Sequence, residues 1–351
     1  MTPLVVVDAD VLGRRRTGDE TYVSNLLREL GDLAPGSGLR IAAVTRRPDL
    51  VPPGIEPVEL STGLQEIRMA WTLPRLLRRL GAALCHTQHA LPLRAPCPCV
   101  VTVHDLSFAR EPELMGRKDR LVFRIVVPRA ARRAARVLTV SERTRRDLVE
   151  LYGVPESRIV VTPNGVDPAF GAFRRSREAG ETPSGSEPQG GYALAVGAVE
   201  RRKNQLAALE AASAAGLPLV VVGPEKDPGL AGELRRRGAR LEGYVETERL
   251  AQLYRDAACL VQASCYEGFG LPVLEAMASG TPVVAVREPA LEEVAGDAAV
   301  VVEEDELAEG IRRALADRDR LVSAGLERAR MYSWRASAER TLAVYREILG
   351  A

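Results

Sequence analysis

The chain of 351 residues is short of several side chains at once: three lysines (48 Lys plus Arg, of which 45 are arginine), three histidines, five cysteines, and aromatic residues at 4%. Where lysine is this rare, one placed among arginines signals a need for a compact point charge. The cysteines, Cys85, Cys97, Cys99, Cys259 and Cys265, are odd in number, and their spacings match neither a zinc site nor a redox CxxC. They read as reduced, structural thiols. No segment approaches the roughly 18 uninterrupted apolar residues of a membrane span, and the opening MTPLVVVDADVLG has a short apolar run without a basic leader. The expected location is cytoplasmic. A net charge of +1 argues against a general nucleic-acid binder. GxGxxG occurs in neither VVVDADVLG nor LAVGAVER, which weakens any reading as a dinucleotide oxidoreductase.

What is present is an ordinary globular balance, 46% hydrophobic and 27% charged, on a length that suits two domains. Short apolar runs alternate with helical patterns: LVVVDA at 4–9, a helix at 20–30, LRIAAVT at 39–45, a helix at 66–80, CVVTVHD at 99–105 and RVLTVS at 136–141. The alternation stops in REAGETPSGSEPQGG and restarts at YALAVGAV, LPLVVVG, ARLEGYV, CLVQAS, TPVVAV and AAVVVE. Strands alternating with helices imply parallel βαβ units. The expected organisation is an α/β fold of two doubly wound domains, 1–172 and 192–333, joined by a linker at 173–191. A last helix in 334–351 would cross back to the first domain. Ligands then belong beyond the carboxyl ends of the strands. Between Arg117 and Arg136, eight Lys/Arg stand against Asp119 alone, among Val122, Phe123, Ile125, Val126 and Val127. Two readings stay open: a solvated helix face over a core stripe, or a basic amphipathic face for a membrane or an anionic acceptor.

Residues 264–286, SCYEGFGLPVLEAMASGTPVVAV, carry the most chemistry. Glu267 and Glu275 flank a Gly-Phe-Gly turn, with Pro272 at a first helical position and Gly280 and Pro282 closing the helix. A strand, a tight turn and a helix N-terminus aim the backbone amides of 268–271 at negative charge. Carboxylates beside them suit sugar or ribose hydroxyls. The competing reading is that both glutamates, with Glu275 in the first turn, simply favour the positive helix end. In VGAVERRKNQ, Arg202 and Lys203 follow a strand ending at Gly197, where two cations would neutralise a diphosphate. VTVHDLSF puts His104 and Asp105 at another strand end, while His86 and His89 fall in a less defined loop. Asp105 suits a loop-orienting role. Gly18 lies at a strand-to-helix connection where an amide would approach phosphate. Asn164 and Gly165 suit a tight turn. Tyr244 and Val245, after Gly243, would flank a base. Asp8 and Asp10 spell DxD but read as loop residues, so no metal is expected.

These segments resemble the retaining glycosyltransferases of family 4, whose two Rossmann-like domains face each other across a cleft in the arrangement called GT-B. The EX7E motif matches Glu267 to Glu275, the GxxxxRKN segment matches Gly197 to Asn204, and the HD pair, the 140–167 segment and RTGDETY also match. The resemblance implies that Glu267 lies near the donor sugar and Glu275 holds the ribose hydroxyls. It implies that Gly268, Phe269, Gly270 and Leu271 contact sugar and phosphate, and that His104 approaches the anomeric centre. Some members carry an arginine where this chain has Ala198, which leaves the phosphates to Arg202 and Lys203. Asp19 and Glu20 stand where a second glycine is common, so acceptor handling would differ. The expected activity is transfer of a mannose- or glucose-type hexose from a UDP- or GDP-sugar to a glycan, lipid-linked or small-molecule acceptor, without metal or cofactor. Domain closure would exclude water. The competitors are a sugar-nucleotide epimerase or hydrolase of the same architecture and a catalytically idle binding module.

Overall fold

Runs such as Leu4–Asp8 and Val283–Val286 are buried at every position, the signature of strands covered on both faces by helices. In the computed structural model, which describes residues 2–14, 17–114, 116–171 and 191–350, all thirteen strands pair in parallel. Contacts divide the chain into two units, Met1–Gly165 with Trp334–Ala351, and Val166–Ser333. The expected linker at 173–191 lies outside the described residues except for Gly191.

The first unit holds β1 (Leu4–Asp8), β2 (Arg40–Thr45), β3 (Glu56–Glu59), β4 (Leu84–Gln88), β5 (Cys99–Val103), β6 (Arg136–Thr139) and β7 (Ile159–Val161), in the order β3-β2-β1-β4-β5-β6-β7. The chain builds outward from β1, then returns to place β4 on its other side. That reversal makes the β1/β4 ends the switch point where such sheets bind ligands. One apolar cluster joins Leu4, Val6, Ala42 and Val44 to Leu73, Leu76 and Leu77, and another joins Val101 and Val103 to Phe108, Val127 and Ala130. The last helix, Trp334–Leu349, buries Trp334, Ala338, Leu342 and Tyr345 along one stripe. It belongs to this unit: Trp334 meets Tyr22 edge-on at 6.1 Å and the Tyr345 hydroxyl bonds His86 Nδ1.

The second unit holds β8 (Ala193–Val196), β9 (Leu219–Val222), β10 (Arg240–Gly243), β11 (Cys259–Gln262), β12 (Val283–Val286) and β13 (Val300–Val302), in the order β10-β9-β8-β11-β12-β13. Its switch point falls between β8 and β11. Both units are therefore doubly wound, Rossmann-like α/β sheets.

Several local expectations change. The 66–80 helix is broken by a π-helical turn at Arg68–Thr72 between Gln65–Ile67 and Leu73–Leu80. The basic stretch 117–136 is not one helix, because it ends at Arg133 and Arg136 opens β6. Within it Val127, Ala130 and Ala131 are buried, but Leu121, Val122 and Ile125 are 63%, 48% and 61% exposed. His86 sits on β4 and not in a loop, while Asn164 and Gly165 lie in an irregular stretch that precedes the turn at 168–171.

Candidate functional site

At the switch point of the second unit, β8 is followed directly by Gly197, whose φ of 141° only glycine adopts readily. A Cβ there would lie 3.2 Å from Lys203 Cε, so the missing side chain also lets the lysine fold back over the strand end. Arg201–Lys203 form one 3₁₀ turn, and Asn204 reverses the chain at φ 49° before the helix Gln205–Ala214. The cations thereby face the end of β11. Lys203 Nζ donates to Glu267 Oε1 at 2.6 Å, Gln262 Nε2 donates to the same oxygen at 2.7 Å, and Arg202 reaches Glu267 Oε2 at 3.4 Å and the Tyr266 carbonyl at 2.8 Å. Arg202 is shared with Glu200, 2.8 Å away.

Glu267 is 6% exposed. Burial alone would push its carboxyl up, but Lys203, Arg202 and the hydrogen bonds outweigh that and hold it below the usual range. Burial draws Lys203 below its ordinary value, against the pull of Glu267. The result is a desolvated ion cluster whose geometry is set before any ligand arrives.

From Glu267 the chain turns through Gly268 and Phe269 to Gly270, left-handed at φ 105°, and enters the helix Leu271–Ala278 with Pro272 in its first turn and no side-chain cap. The Phe269 ring is an anchor, buried edge-on against Tyr332 at 5.8 Å. Glu275 lies a turn further into the helix than its expected place in the first turn. It is 8% exposed and accepts from the Tyr254 hydroxyl at 2.9 Å. Burial pushes its carboxyl up to about 7, only partly offset by that hydroxyl. Both glutamates thus face inward onto side-chain partners, and their contribution is more than a favourable charge at a helix end. Tyr244, 42% exposed, and Val245 follow left-handed Gly243 at the end of the edge strand β10.

At the switch point of the first unit, His104 follows β5. Its Nε2 meets Gln88 Oε1 at 2.9 Å, and its ring packs edge-on against Tyr22 at 4.6 Å. Burial draws its pKa down to about 4, against the pull of Asp19, so the imidazole is neutral at pH 7. Asp105 accepts from Ser107 N at 3.0 Å and Ser107 Oγ at 2.8 Å, which fixes the loop after His104. Gly18 lies exposed in the first turn of the helix Thr17–Leu33, with open space where a Cβ would stand. Asp8 and Asp10 are not loop carboxylates free to take a metal. They are 4% and 2% exposed, and Arg14, Arg46 and Arg68 close around them.

The sequence left His89 in an undefined loop and offered Asp19 only as a departure from the glycine pattern, without joining either to His104. His89 ends the β4 segment at φ 57°, and with Asn204 it is one of two non-glycine residues at positive φ among those described. Its ring lies 5.2 Å from that of His104. The legible signal was its place directly after a strand next to the switch point.

Comparison with known proteins bears on this geometry. Residues 17–170 match Glycosyltransferase Family 4 and residues 177–331 match Glycosyl transferases group 1. The chain is 31% identical to the O-antigen chain mannosyltransferase B of Escherichia coli, over 70% of each chain. The protein belongs to glycosyltransferase family 4. Another relative, the O-antigen chain mannosyltransferase RfbU of Salmonella typhimurium, is 26% identical over 86% of this chain and 87% of its own. In fold, this glycosyltransferase resembles Anabaena Alr3699/HepE, solved in complex with UDP-glucose, at a TM-score of 0.70 and 15% identity over 99% of this chain and 100% of that one. The two parallel-sheet domains are those of a GT-B enzyme. No helix among the described residues is long and apolar enough to cross a membrane.

Proposed function

We propose that this family 4 enzyme is a retaining, metal-independent hexosyltransferase that moves a mannose- or glucose-type sugar from a UDP- or GDP-sugar to the hydroxyl of a glycan, lipid-linked or small-molecule acceptor. The observation that carries the reading is the buried cluster of Arg202, Lys203 and Glu267 at the ends of β8 and β11. As the donor bond breaks, negative charge grows on the departing diphosphate. Two cations held in place by a carboxylate stabilise that charge without reorganising. The amides of Gly268, Phe269, Gly270 and Leu271 at the helix start add to the anion site, and the Gly18 amide, at its own helix start, also suits a phosphate. Glu275 accepts from the ribose hydroxyls, Tyr244 and Val245 flank the base, and His104, as a neutral imidazole, lies beside the transferred sugar.

Retention by a covalent intermediate needs a free carboxylate as nucleophile. Glu267 is a poor one, because Lys203, Gln262 and Arg202 already engage its oxygens. Attack from the face of the leaving phosphate fits better. The mannosyltransferase names of the two relatives support the sugar class, and the UDP-glucose complex of the fold neighbour supports the donor class. The exposed Leu121, Val122 and Ile125, flanked by exposed Arg124 and Arg129, support peripheral contact with an anionic inner membrane surface through 117–136. No cofactor beyond the sugar nucleotide and no nucleic acid enters.

Nucleotide diphosphate release tests transfer directly. It should require an acceptor and continue unchanged in excess chelator. Release without any acceptor would convert the reading to a hydrolase, and loss of activity in chelator with rescue by Mg²⁺ would end metal independence. A thermal-shift screen over UDP, GDP, ADP and their sugars identifies the donor, since a ligand at 100 times its Kd adds about 2.7 kcal/mol.

A further inference from the structure

Apart from the Arg202, Lys203 and Glu267 cluster, the first unit brings three metal-ligating side chains together. One ligand atom each from Asp19, His89 and His104 lies within 4.8 Å of the other two. They come from three separate elements: the first turn of the helix after β1, the turn after β4 and the loop after β5. A tetrahedral ion with bonds of about 2.1 Å holds its ligand atoms about 3.4 Å apart, inside the 4.8 Å within which these three already lie.

Three further observations single the cluster out. His89 is the centre of a three-residue turn closed by Ala90 N to Gln88 O at 2.6 Å, and its φ of 57° makes that the rare, strained form. Strain of this kind gathers where a side chain must be aimed. Next, His89 Nδ1 and Gln88 Nε2 are buried with no hydrogen-bond partner, a cost that a native site normally explains. Finally, Gln88 Oε1 accepts from His104 Nε2, which leaves Nδ1 as the nitrogen carrying a lone pair. An outer partner that fixes the tautomer in this way is what a ligating histidine usually has. Phe123 and Tyr22 wall the imidazoles at 5.7 Å and 4.6 Å.

From this arrangement we infer that Asp19, His89 and His104 form a binding site for one divalent transition-metal ion of the zinc class. Two imidazoles and one carboxylate are a borderline donor set that suits Zn²⁺ or Co²⁺, whereas Mg²⁺ and Ca²⁺ take oxygen ligands. The ion is not the cofactor of the transfer. If His104 lies beside the transferred sugar, as read above, a bound ion and that sugar compete for one side chain, and zinc inhibits. This consequence alone rests on the proposed function.

The test is Zn²⁺ equilibrium dialysis and Co²⁺ visible absorption on the full chain, wild type beside His89→Asn and Asp19→Asn. Asparagine tolerates the left-handed backbone at 89, and circular dichroism with a melting curve checks that each variant folds. The expected result is one ion per wild-type chain, tetrahedral Co²⁺ bands, and a loss of affinity beyond about 100-fold in both variants, because even outer partners cost about 10- to 100-fold. Absence of binding to the wild type, or equal binding by wild type and variants, as cysteine ligation would give, overturns the site. Binding as expected without inhibition of transfer leaves the site standing and overturns the placement of His104 beside the sugar.

Discussion

The two sheets share one strand order, β3-β2-β1-β4 in the first unit and β10-β9-β8-β11 in the second, yet their switch points carry opposite chemistry. At β8/β11 two cations surround one glutamate held ionised, beside a helix start. At β1/β4 two buried aspartates are tied up by arginines, and burial keeps His86 and His104 neutral. The fold supplies the same place twice. Both keep buried ion pairs, Arg202 and Lys203 on Glu267 and arginines on Asp8 and Asp10; what differs is the neighbour, a helix start in the second unit and neutral imidazoles in the first. On the proposed reading the first suits sugar hydroxyls or a zinc-class ion, and the second a diphosphate.

The strongest way to break this contrast is to unpair the second switch point. Lys203→Met leaves Glu267 buried without its nearest cation, and removing one partner of a buried pair costs about 3–5 kcal/mol. Donor affinity should fall with it by at least about 100-fold, near 2.7 kcal/mol. Adding Glu267→Gln should restore much of the stability and none of the donor affinity. Denaturant melts and calorimetry with UDP or GDP read the two effects, and additive stability losses in the double variant would refute the pairing.

Acid should act on the two units in opposite directions. His86, on β4 between Thr102 Oγ1 at 2.7 Å and the Tyr345 hydroxyl, is fully buried, and burial lowers its pKa to about 3. A depressed histidine stabilises above its unfolded value of 6.5 and loses that contribution as pH falls, so moving from pH 6.5 to 5 should cost the first unit about 2 kcal/mol. Glu275 is raised from 4.5 to about 7, so its contribution is full below 4.5 and lost as pH rises through 7. Moving from pH 7 to 5.5 should gain the second unit about 2 kcal/mol. His86→Gln should flatten the first trend and Glu275→Gln the second, in chemical melts followed across that range. If Glu275 accepts from ribose as a carboxylate, nucleotide binding strengthens as pH rises through 7, opposite to the stability trend.

A smaller effect probes how the lysine is placed. Gly197→Ala puts a Cβ 3.2 Å from Lys203 Cε on a backbone at φ 141°. Stability should fall by about 1–2 kcal/mol from the disfavoured backbone, and donor affinity should fall with it because the lysine must move. Unchanged donor affinity would show that Lys203 is not held by its packing over the glycine.

Much of this was legible in the residues. The apolar runs named every strand of the second unit but missed β3, β4 and β7 of the first, whose short or polar sequences EPVE, LCHTQ and IVV give little apolar signal, and the glycines and Pro272 placed the turn before the 271–278 helix. The motif cations did lie beside Glu267. What pattern alone withheld was tertiary. Nothing local announces that Tyr254 would reach Glu275, that Asp8 and Asp10 would be closed in by arginines thirty to sixty residues away, or that a histidine on β4 would be buried against the last helix. The His89 turn was hidden for another reason: a strained left-handed histidine contradicts local preference, and only the surrounding hydrogen bonds hold it there.

The smallest expected change in stability falls on the surface of the first unit. Leu121 and Ile125 are 63% and 61% exposed on the helix Arg117–Arg133, one turn before its buried Val127. Replacing both with serine should alter stability by no more than about 0.5 kcal/mol, as expected for exposed positions. Binding to vesicles rich in anionic lipid should nevertheless drop, because each leucine-sized side chain buried in the interface contributes about 1.5–3 kcal/mol. The comparison is read by sedimentation with anionic and with neutral vesicles. Equal loss on both isolates the apolar term, and a residual preference for the anionic ones assigns the remainder to Arg124 and Arg129. If wild type and variant sediment alike, these side chains are solvated surface and carry no membrane contact.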